Sequence, residues 1–234
     1  MAYKVLNNVS VKDVTSSDLL SLKTDLLVIV INKNTKDKVV NQLAKDVSSH
    51  LKESGSSVLV PNAKSFNAKN VLLVKGFQDS DQIHKLISMY QSIAQKGNQL
   101  KAKDISIMPG TVYPKGKCEM WLIEMVAKTI ESNVYIFSET CNKTAKKPSV
   151  KKLNILVSSL TKSDLIKAKN AAKKGYAIGE GVNSAKYLGD LPANHCTPRI
   201  IEKKVKAMTK DFPKLKVKSF NENQMKKMGM GSFL

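Results

Sequence analysis

Asp25-Leu26-Leu27-Val28-Ile29-Val30-Ile31 sets six apolar residues in a row behind one acid, the last four of them β-branched. A run with no polar alternation is what a strand carries when both of its faces are covered, as in a sheet with layers on either side. Working outward, short apolar runs predict further strands over 57–60, over 70–74 (closed by Gly76), over 104–108 (broken by Pro109-Gly110) and over 153–157. Strands are also predicted over 5–9 and 133–137. Helical spacing falls between them. Val40, Leu43, Ala44, Val47 and Leu51 predict a helix over 37–51. Ser80 is the expected N-cap of a helix carrying Ile83, Leu86, Ile87, Tyr90 and Ile93 and stopping near Gly97. Trp121, Met125 and Ile130 mark a third helix, over 117–130. Strands alternating with helices predict a layered α/β domain with a largely parallel or mixed sheet.

Beyond residue 160 the texture changes. Ser163 is the expected cap of a long helix over 164–188, although Gly175, Gly179 and Gly181 each cost about 1 kcal/mol relative to alanine inside a helix. Glycines at such spacing are tolerated where another element approaches closely. Thr197 and Pro198 then open a helix over 198–210, cap first and proline at the first helical position. A strand over 214–220 and a short helix over 222–228 complete the expectations.

Composition narrows the class. The 234 residues are long enough to bury a core without staples, and 42% apolar with 25% charged residues is ordinary for a globular chain. No apolar run approaches the roughly 18 residues of a membrane helix, and the N-terminus lacks the apolar region of a secretory signal. Cys118, Cys141 and Cys196 are widely spaced and odd in number, which fits a reducing cytoplasm better than a disulfide framework. The formal net charge is +20, but only Arg199 among the 39 basic residues is an arginine. Base-edge and bidentate phosphate readout favour arginine, so the lysine excess reads as solvated surface. It is densest over 143–174, where Lys143, Lys146, Lys147, Lys151, Lys152, Lys162, Lys167, Lys169, Lys173 and Lys174 face one acid, Asp164.

The usual catalytic constellations fail one by one. His50, His84 and His195 are scattered, so none can build a local metal site of the HExxH kind. Cys196 follows His195, yet sequence neighbours point apart and a Cys/His dyad is normally assembled from distant segments. Ser65 and Ser106 lack the GxSxG elbow, and the strand ending at Lys75-Gly76 lacks the earlier glycines of a phosphate loop. Gly179-Glu180-Gly181 has neither the third glycine nor the feeding strand of a dinucleotide fingerprint.

One segment is specific: Gly181-Val-Asn183-Ser-Ala-Lys186-Tyr-Leu188-Gly-Asp190-Leu-Pro192-Ala-Asn194-His-Cys-Thr197-Pro198. It resembles the leucyl aminopeptidase family, in which a long helix leads through an arginine-containing stretch into an Asn-x-Pro-x-Asn turn and then into Thr-Pro at the next helix. Asn183, Lys186, Leu188, Pro192, Asn194, Thr197 and Pro198 are the positions that carry the resemblance, and their role is structural. Lys186 stands at the family's arginine and Asp190 at its first asparagine; a lysine does not reproduce a bidentate arginine contact. The tail, Gln224-Met-Lys-Lys-Met228-Gly-Met-Gly-Ser-Phe-Leu234, resembles the family's approach to its catalytic sheet.

The resemblance implies a macro-domain-like, layered α/β/α N-terminal domain with a mixed sheet over 1–160, a linker helix over 161–188, and an incomplete α/β catalytic domain over 189–234. It implies a cytoplasmic aminopeptidase that acts on peptides, uses two divalent metals (manganese or zinc) and assembles as a homo-hexamer. The family's metal ligands come from a Val-Gly-Lys-Gly-x-Thr-Phe-Asp segment, a further aspartate and an Asn-Thr-Asp-Ala-Glu-Gly-Arg-Leu signature; neither string occurs in these residues. The expectation is therefore an N-terminal portion that stops at the apolar pair Phe233-Leu234, with no catalytic residue and no metal or cofactor ligand of its own. The alternative expectation is a non-catalytic module that binds nucleic acid through the 143–174 lysines or a nucleotide through its sheet; where those lysines are only solvated surface, any DNA binding is expected to be weak and without sequence preference.

Overall fold

A computed structural model describes residues 4–31, 45, 51, 53, 55–77, 83–110, 113–140 and 147–234. The sheet has six strands: β1 (Asn8–Asp13), β2 (Thr24–Ile31), β3 (Ser57–Pro61), β4 (Ala68–Lys75), β5 (Asp104–Met108) and β6 (Lys152–Val157). Their order is β1-β6-β5-β2-β4-β3, parallel throughout except for the antiparallel edge pair of β3 and β4. The apolar run at 25–31 occupies the interior of this sheet as β2, between β4 and β5. Leu26, Val28 and Val30 point into one core, and Leu27 and Ile29 into a second core on the opposite face.

Around the sheet lie α1 (Ser16–Ser21), α2 (Ile83–Gln99), α3 (Glu119–Val134), α4 (Lys162–Asp190), α5 (Pro198–Asp211) and α6 (Glu222–Lys227), with a 3-10 turn at Gly231–Phe233. The larger core joins the sheet to α2 through Leu86, Tyr90 and Ile93 and to α3 through Leu122, Val126 and Ile130. Ala168 and Ala172 bring α4 into the same cluster. The smaller core gathers Leu19 of α1 with Ala63 and Phe66. Among the described residues no helix is long and apolar enough to cross a membrane. Of the expected helix over 37–51 only residues 45 and 51 are described, and the Ser80 cap lies outside the described residues.

Four expectations are corrected. The first strand begins at Asn8, where pairing with Lys152 starts, and not at residue 5. Val5 and Leu6 are buried among helices, with their amides taken by a side chain. Residues 133–137 form no strand: α3 continues to Val134, which is fully buried one helical turn after Ile130. No strand forms over 214–220 either. That stretch is exposed apart from half-buried Val217, and a lone extended segment has no ladder to join. Finally, the cap of α4 is Thr161, whose hydroxyl accepts from the Asp164 amide, and not Ser163. α2 also passes through Gly97 to Gln99, since a Cβ on that glycine would lie 2.7 Å from Ile105 and 3.0 Å from Val150. Gly97 is thus a packing residue, and the helix ends close beyond it at Gln99, near where it was expected to stop.

α4 runs along α3, and its buried positions Ala168, Ala172, Gly175, Gly179 and Asn183 form one stripe. A Cβ at Gly175 would sit 2.0 Å from the carbonyl oxygen of Glu124, and one at Gly179 would sit 2.7 Å from the Glu131 Cβ. Both glycines permit close approach, as their spacing suggested. Gly181 faces open space. Gly175→Ala therefore forces backbone apart and is expected to lower stability by about 1–3 kcal/mol, the cost of overpacking. Gly181→Ala should raise it by about 1 kcal/mol, the helix-propensity difference. Denaturant midpoints of the two variants are the check, and shifts of the same sign would contradict this packing.

Candidate functional site

The segment singled out in the sequence becomes a helix–turn–helix corner. Asn183, Lys186 and Leu188 lie on the last two turns of α4, which ends at Asp190 with the Leu191 amide donating to the Tyr187 carbonyl. Pro192, Asn194 and His195 form an exposed turn, closed by the His195 amide donating to the Pro192 carbonyl at 2.8 Å. Thr197 then caps α5 through its hydroxyl, and Pro198 takes the first helical position, where a missing N–H costs nothing.

The chemistry of this corner gathers around a residue the sequence reading passed over. Glu131 of α3 is fully buried. Its Oε1 accepts from the Val5 amide at 2.9 Å and from Asn183 Nδ2 at 3.0 Å, and its Oε2 accepts from the Leu6 amide at 3.0 Å. Asn183 Nδ2 also donates to the Glu131 main-chain carbonyl at 3.0 Å. Asn183 Oδ1 is buried and has no partner among the described residues. Tyr176 of α4 donates its hydroxyl to the Leu6 carbonyl at 2.8 Å. A signal for Glu131 was present: it stands between Ala127 and Val134 on the apolar face of α3, four and three residues from each.

Around the end of α3, Lys186 Nζ donates to the Ser132 carbonyl at 2.6 Å and lies 6.0 Å from the centre of the Tyr135 ring. A cation here meets the unsatisfied carbonyls and negative dipole end of the helix. The Tyr135 hydroxyl donates to Asp190 at 2.8 Å. Phe137 tilts against Tyr187 at 6.2 Å between ring centres, and Lys204 of α5 sits 4.5 Å above the Tyr187 ring. The corner is thereby tied to α3 on one side and to α5 on the other.

Electrostatics set the ionisation of the central pair. Burial pushes the Glu131 carboxyl above its usual range, outweighing the amides of Val5 and Leu6 and the Asn183 donor that favour the charged form; the nearby Glu180 adds to the rise. Burial also raises the Tyr176 phenol, helped by the negative charges of Glu180 and Glu131, so that it stays a donor to Leu6.

The other candidates are dispersed. His84 and His195 are exposed, and His50 lies outside the described residues. Cys118 is exposed and Cys196 half-buried. Ser106 is buried within the sheet, donating to Thr24 and accepting from Asn154, both at 3.0 Å. Among the described residues no group of three or more histidine, cysteine, aspartate or glutamate side chains is placed to hold a metal ion. Glu131 is committed elsewhere: its oxygens already face three N–H donors, and among the described residues it belongs to no group of three or more such side chains. The dense lysines divide between elements. Lys151 and Lys152 sit at the start of β6 against the Lys103 carbonyl, whereas Lys162, Lys167, Lys169, Lys173 and Lys174 line the solvent side of α4. Lys143 and Lys146 lie outside the described residues.

No family model matches the chain. It is 28% identical over 229 residues to the cytosol aminopeptidase of Pseudomonas aeruginosa, covering 92% of this chain and 45% of that protein. It is 31% identical over 183 residues to a probable cytosol aminopeptidase of Alkalilimnicola ehrlichii, covering 77% of this chain and 36% of the relative. The chain thus spans less than half the length of these relatives. Among solved structures, a tomato leucine aminopeptidase mutant superposes with a TM-score of 0.70 at 18% identity, over 98% of this chain and 47% of that one. A bottromycin maturation enzyme superposes with a TM-score of 0.63 at 15% identity, over 88% of this chain and 41% of that one. At those identities the likeness is one of fold.

A raised folded-state pKa means that Glu131 binds its proton more tightly in the fold than in the unfolded chain. Its contribution is fully present below about pH 4.3, the ordinary glutamate value, and is lost as pH climbs through the higher folded value. Unfolding free energy measured against pH should therefore fall across the range just above 4.3 in the native chain, relative to Glu131→Gln, which has no proton to lose. A difference between the two that is flat with pH would remove burial as the dominant influence on Glu131.

Proposed function

We propose, from the chain's membership of the leucyl aminopeptidase family, that it is the N-terminal portion of a two-metal aminopeptidase that releases N-terminal residues, leucine among them, from peptides. The supporting observation is the cytosol aminopeptidase relatives, aligned over up to 94% of the chain, together with the leucine aminopeptidase fold likeness over 98% of it. In this reading residues 1–160 form the N-terminal domain, 161–188 the linker helix and 189–234 the opening of the catalytic domain. The linker helix is not a free spacer: it lies along α3 with Gly175 and Gly179 in contact. The relatives' printed names support a cytoplasmic location, and the family resemblance supports a homo-hexamer.

The two metals, manganese or zinc, would supply Lewis-acid polarisation of the scissile carbonyl and an activated water. The residues present do not fit them. The described acids and histidines gather into no ligand set, and the family's two ligand strings are missing from the sequence. The metal-binding segments would have to be contributed by residues outside these 234. What this chain's own residues do is structural: Asn183, Lys186, Tyr135 and Thr197 fix the corner from which a following domain would start.

Two measurements test the reading. Sequencing the transcript past the Leu234 codon should reveal both ligand strings in frame; a natural stop codon there would overturn it. The 234-residue chain, assayed alone on a leucyl-anilide with manganese, cobalt or zinc, should show no turnover. Metal-dependent, chelator-sensitive hydrolysis by the chain itself would mean that a ligand set exists where none is proposed.

The lysine excess belongs to the same proposal as solvated surface, with at most weak and sequence-indifferent DNA binding. A protein that neutralises six to ten phosphates loses roughly 10³–10⁵ in affinity between 50 and 200 mM salt, because released counterions supply the binding. Titrating two unrelated duplexes at both salt concentrations should show equal affinities and near-abolition at the higher one. Replacing Lys147, Lys151 and Lys152 with glutamine should flatten the salt slope for both duplexes alike. A preference of about a thousandfold for one duplex, the scale of specific sites, would mark a dedicated site instead.

A further inference from the structure

Residues 5 and 6 lie outside the sheet and belong to no strand. Just after them the Asn7 amide donates to the Lys151 carbonyl at 2.7 Å, and sheet pairing begins at Asn8. The polar groups of Val5 and Leu6 are instead met by side chains from two helices far along the chain. Both amides go to the carboxylate of Glu131 on α3, and the Leu6 carbonyl goes to Tyr176 on α4. The side chains of Val5 and Leu6 are buried in the main core. This slot grips the backbone of the Val5-Leu6 dipeptide on both its amides and one carbonyl.

The grip is shared. The oxygen that accepts from Val5 also accepts from Asn183, which reaches the Glu131 carbonyl as well. Beside them, the contact of Gly179 with Glu131 leaves no slack between α3 and α4. If the arm leaves, a buried carboxylate keeps one donor where it had three. An under-bonded buried charge is unfavourable and must regain water. Water reaches it through the space vacated by Leu6 or by parting of α4 from α3 near Asn183. The first half of α4 is anchored separately, through Ala168, Ala172 and the contact of Gly175 with Glu124.

We propose that residues 4–7 are a strap that locks the second half of α4 against α3, with Glu131 as the shared contact through which seating of the arm fixes Asn183 and hence the corner at 183–198. The coupling is reciprocal: whatever loosens Asn183 loosens the arm by the same factor. The strap concerns this chain's own conformation and stands whether or not the aminopeptidase reading does.

Hydrogen exchange on the full chain tests it, comparing the native sequence with Leu6→Ala, Asn183→Ala and the milder Tyr176→Phe. Tyr176→Phe keeps the ring and deletes only the hydroxyl, with its hydrogen bond to the arm and its interaction with Glu180 one turn along α4, so it keeps the test open if Leu6→Ala fails to fold. It should speed exchange at Val5 and Leu6, and at 183–190, by about 2- to 10-fold, the effect of a single net hydrogen bond. β2, β4 and residues 166–172 should be unchanged. Asn183→Ala should in turn speed the arm amides. Faster exchange confined to the arm in Leu6→Ala and Tyr176→Phe would overturn the proposal, as would a uniform rise across the molecule.

Discussion

Everything specific in this molecule depends on how closely α4 lies against α3. At Gly175 and Gly179 the helices approach until backbone meets backbone and side-chain stem, with no room for a Cβ. Close approach removes the layer of bulky side chains that usually separates helices at 8–10 Å, and it brings polar groups within bonding reach of one another. Glu131 and Asn183 meet because of it. So do Lys186 and the carbonyl of Ser132, at the point where α3 ends. The helical cost of the glycines is offset by contacts that larger residues would forbid.

The interior of that contact is polar, which makes it selective rather than merely cohesive. A buried carboxylate is tolerated only when donors surround it, and the three here come from the arm and from α4. Burial of Val5 and Leu6 adds roughly 1.5–3 kcal/mol each, the usual value for a fully buried aliphatic side chain. Apolar burial holds the arm in place, and the carboxylate ties down two consecutive amides of it. The outer surface follows a different rule. Its lysines are spread over the end of the sheet and the open side of α4, and pairs such as Lys167 with Asp164 and Lys174 with Glu124 are exposed ion pairs of small energetic weight.

Past Leu191 the character of the chain changes again. α5 and α6 carry no buried residue, and Phe212, Leu215, Phe220 and Phe233 are exposed. Their caps are nonetheless complete: Thr197 for α5, and a reciprocal Asn221–Gln224 capping box for α6. Local hydrogen bonding is sufficient to specify these helices, while their apolar residues contribute little within the described fold. That division suits the opening of a second domain, as the aminopeptidase proposal has it.

Elements whose signals are local or strongly patterned could be read before folding was considered. The interior strand at 25–31, the strand at 104–108, Thr197 and Pro198 at the start of α5, and the packing role of Gly175 and Gly179 were all legible, because each depends on period, cap chemistry or a missing Cβ. The resemblance to leucyl aminopeptidases was legible as well, in the order of residues from Gly181 to Pro198. Tertiary structure alone decided the rest. Val5 and Leu6 look like strand and are not, since the groups that satisfy their backbone lie 125 and more residues away. Residues 133–137 have strand composition, but the buried face of α3 holds the first two in a helix. Glu131 reads as one more charge among many until α4 and the arm close over it. A side chain's role as a shared hydrogen-bond acceptor is fixed by distances between segments, and those distances exist only once the chain has folded.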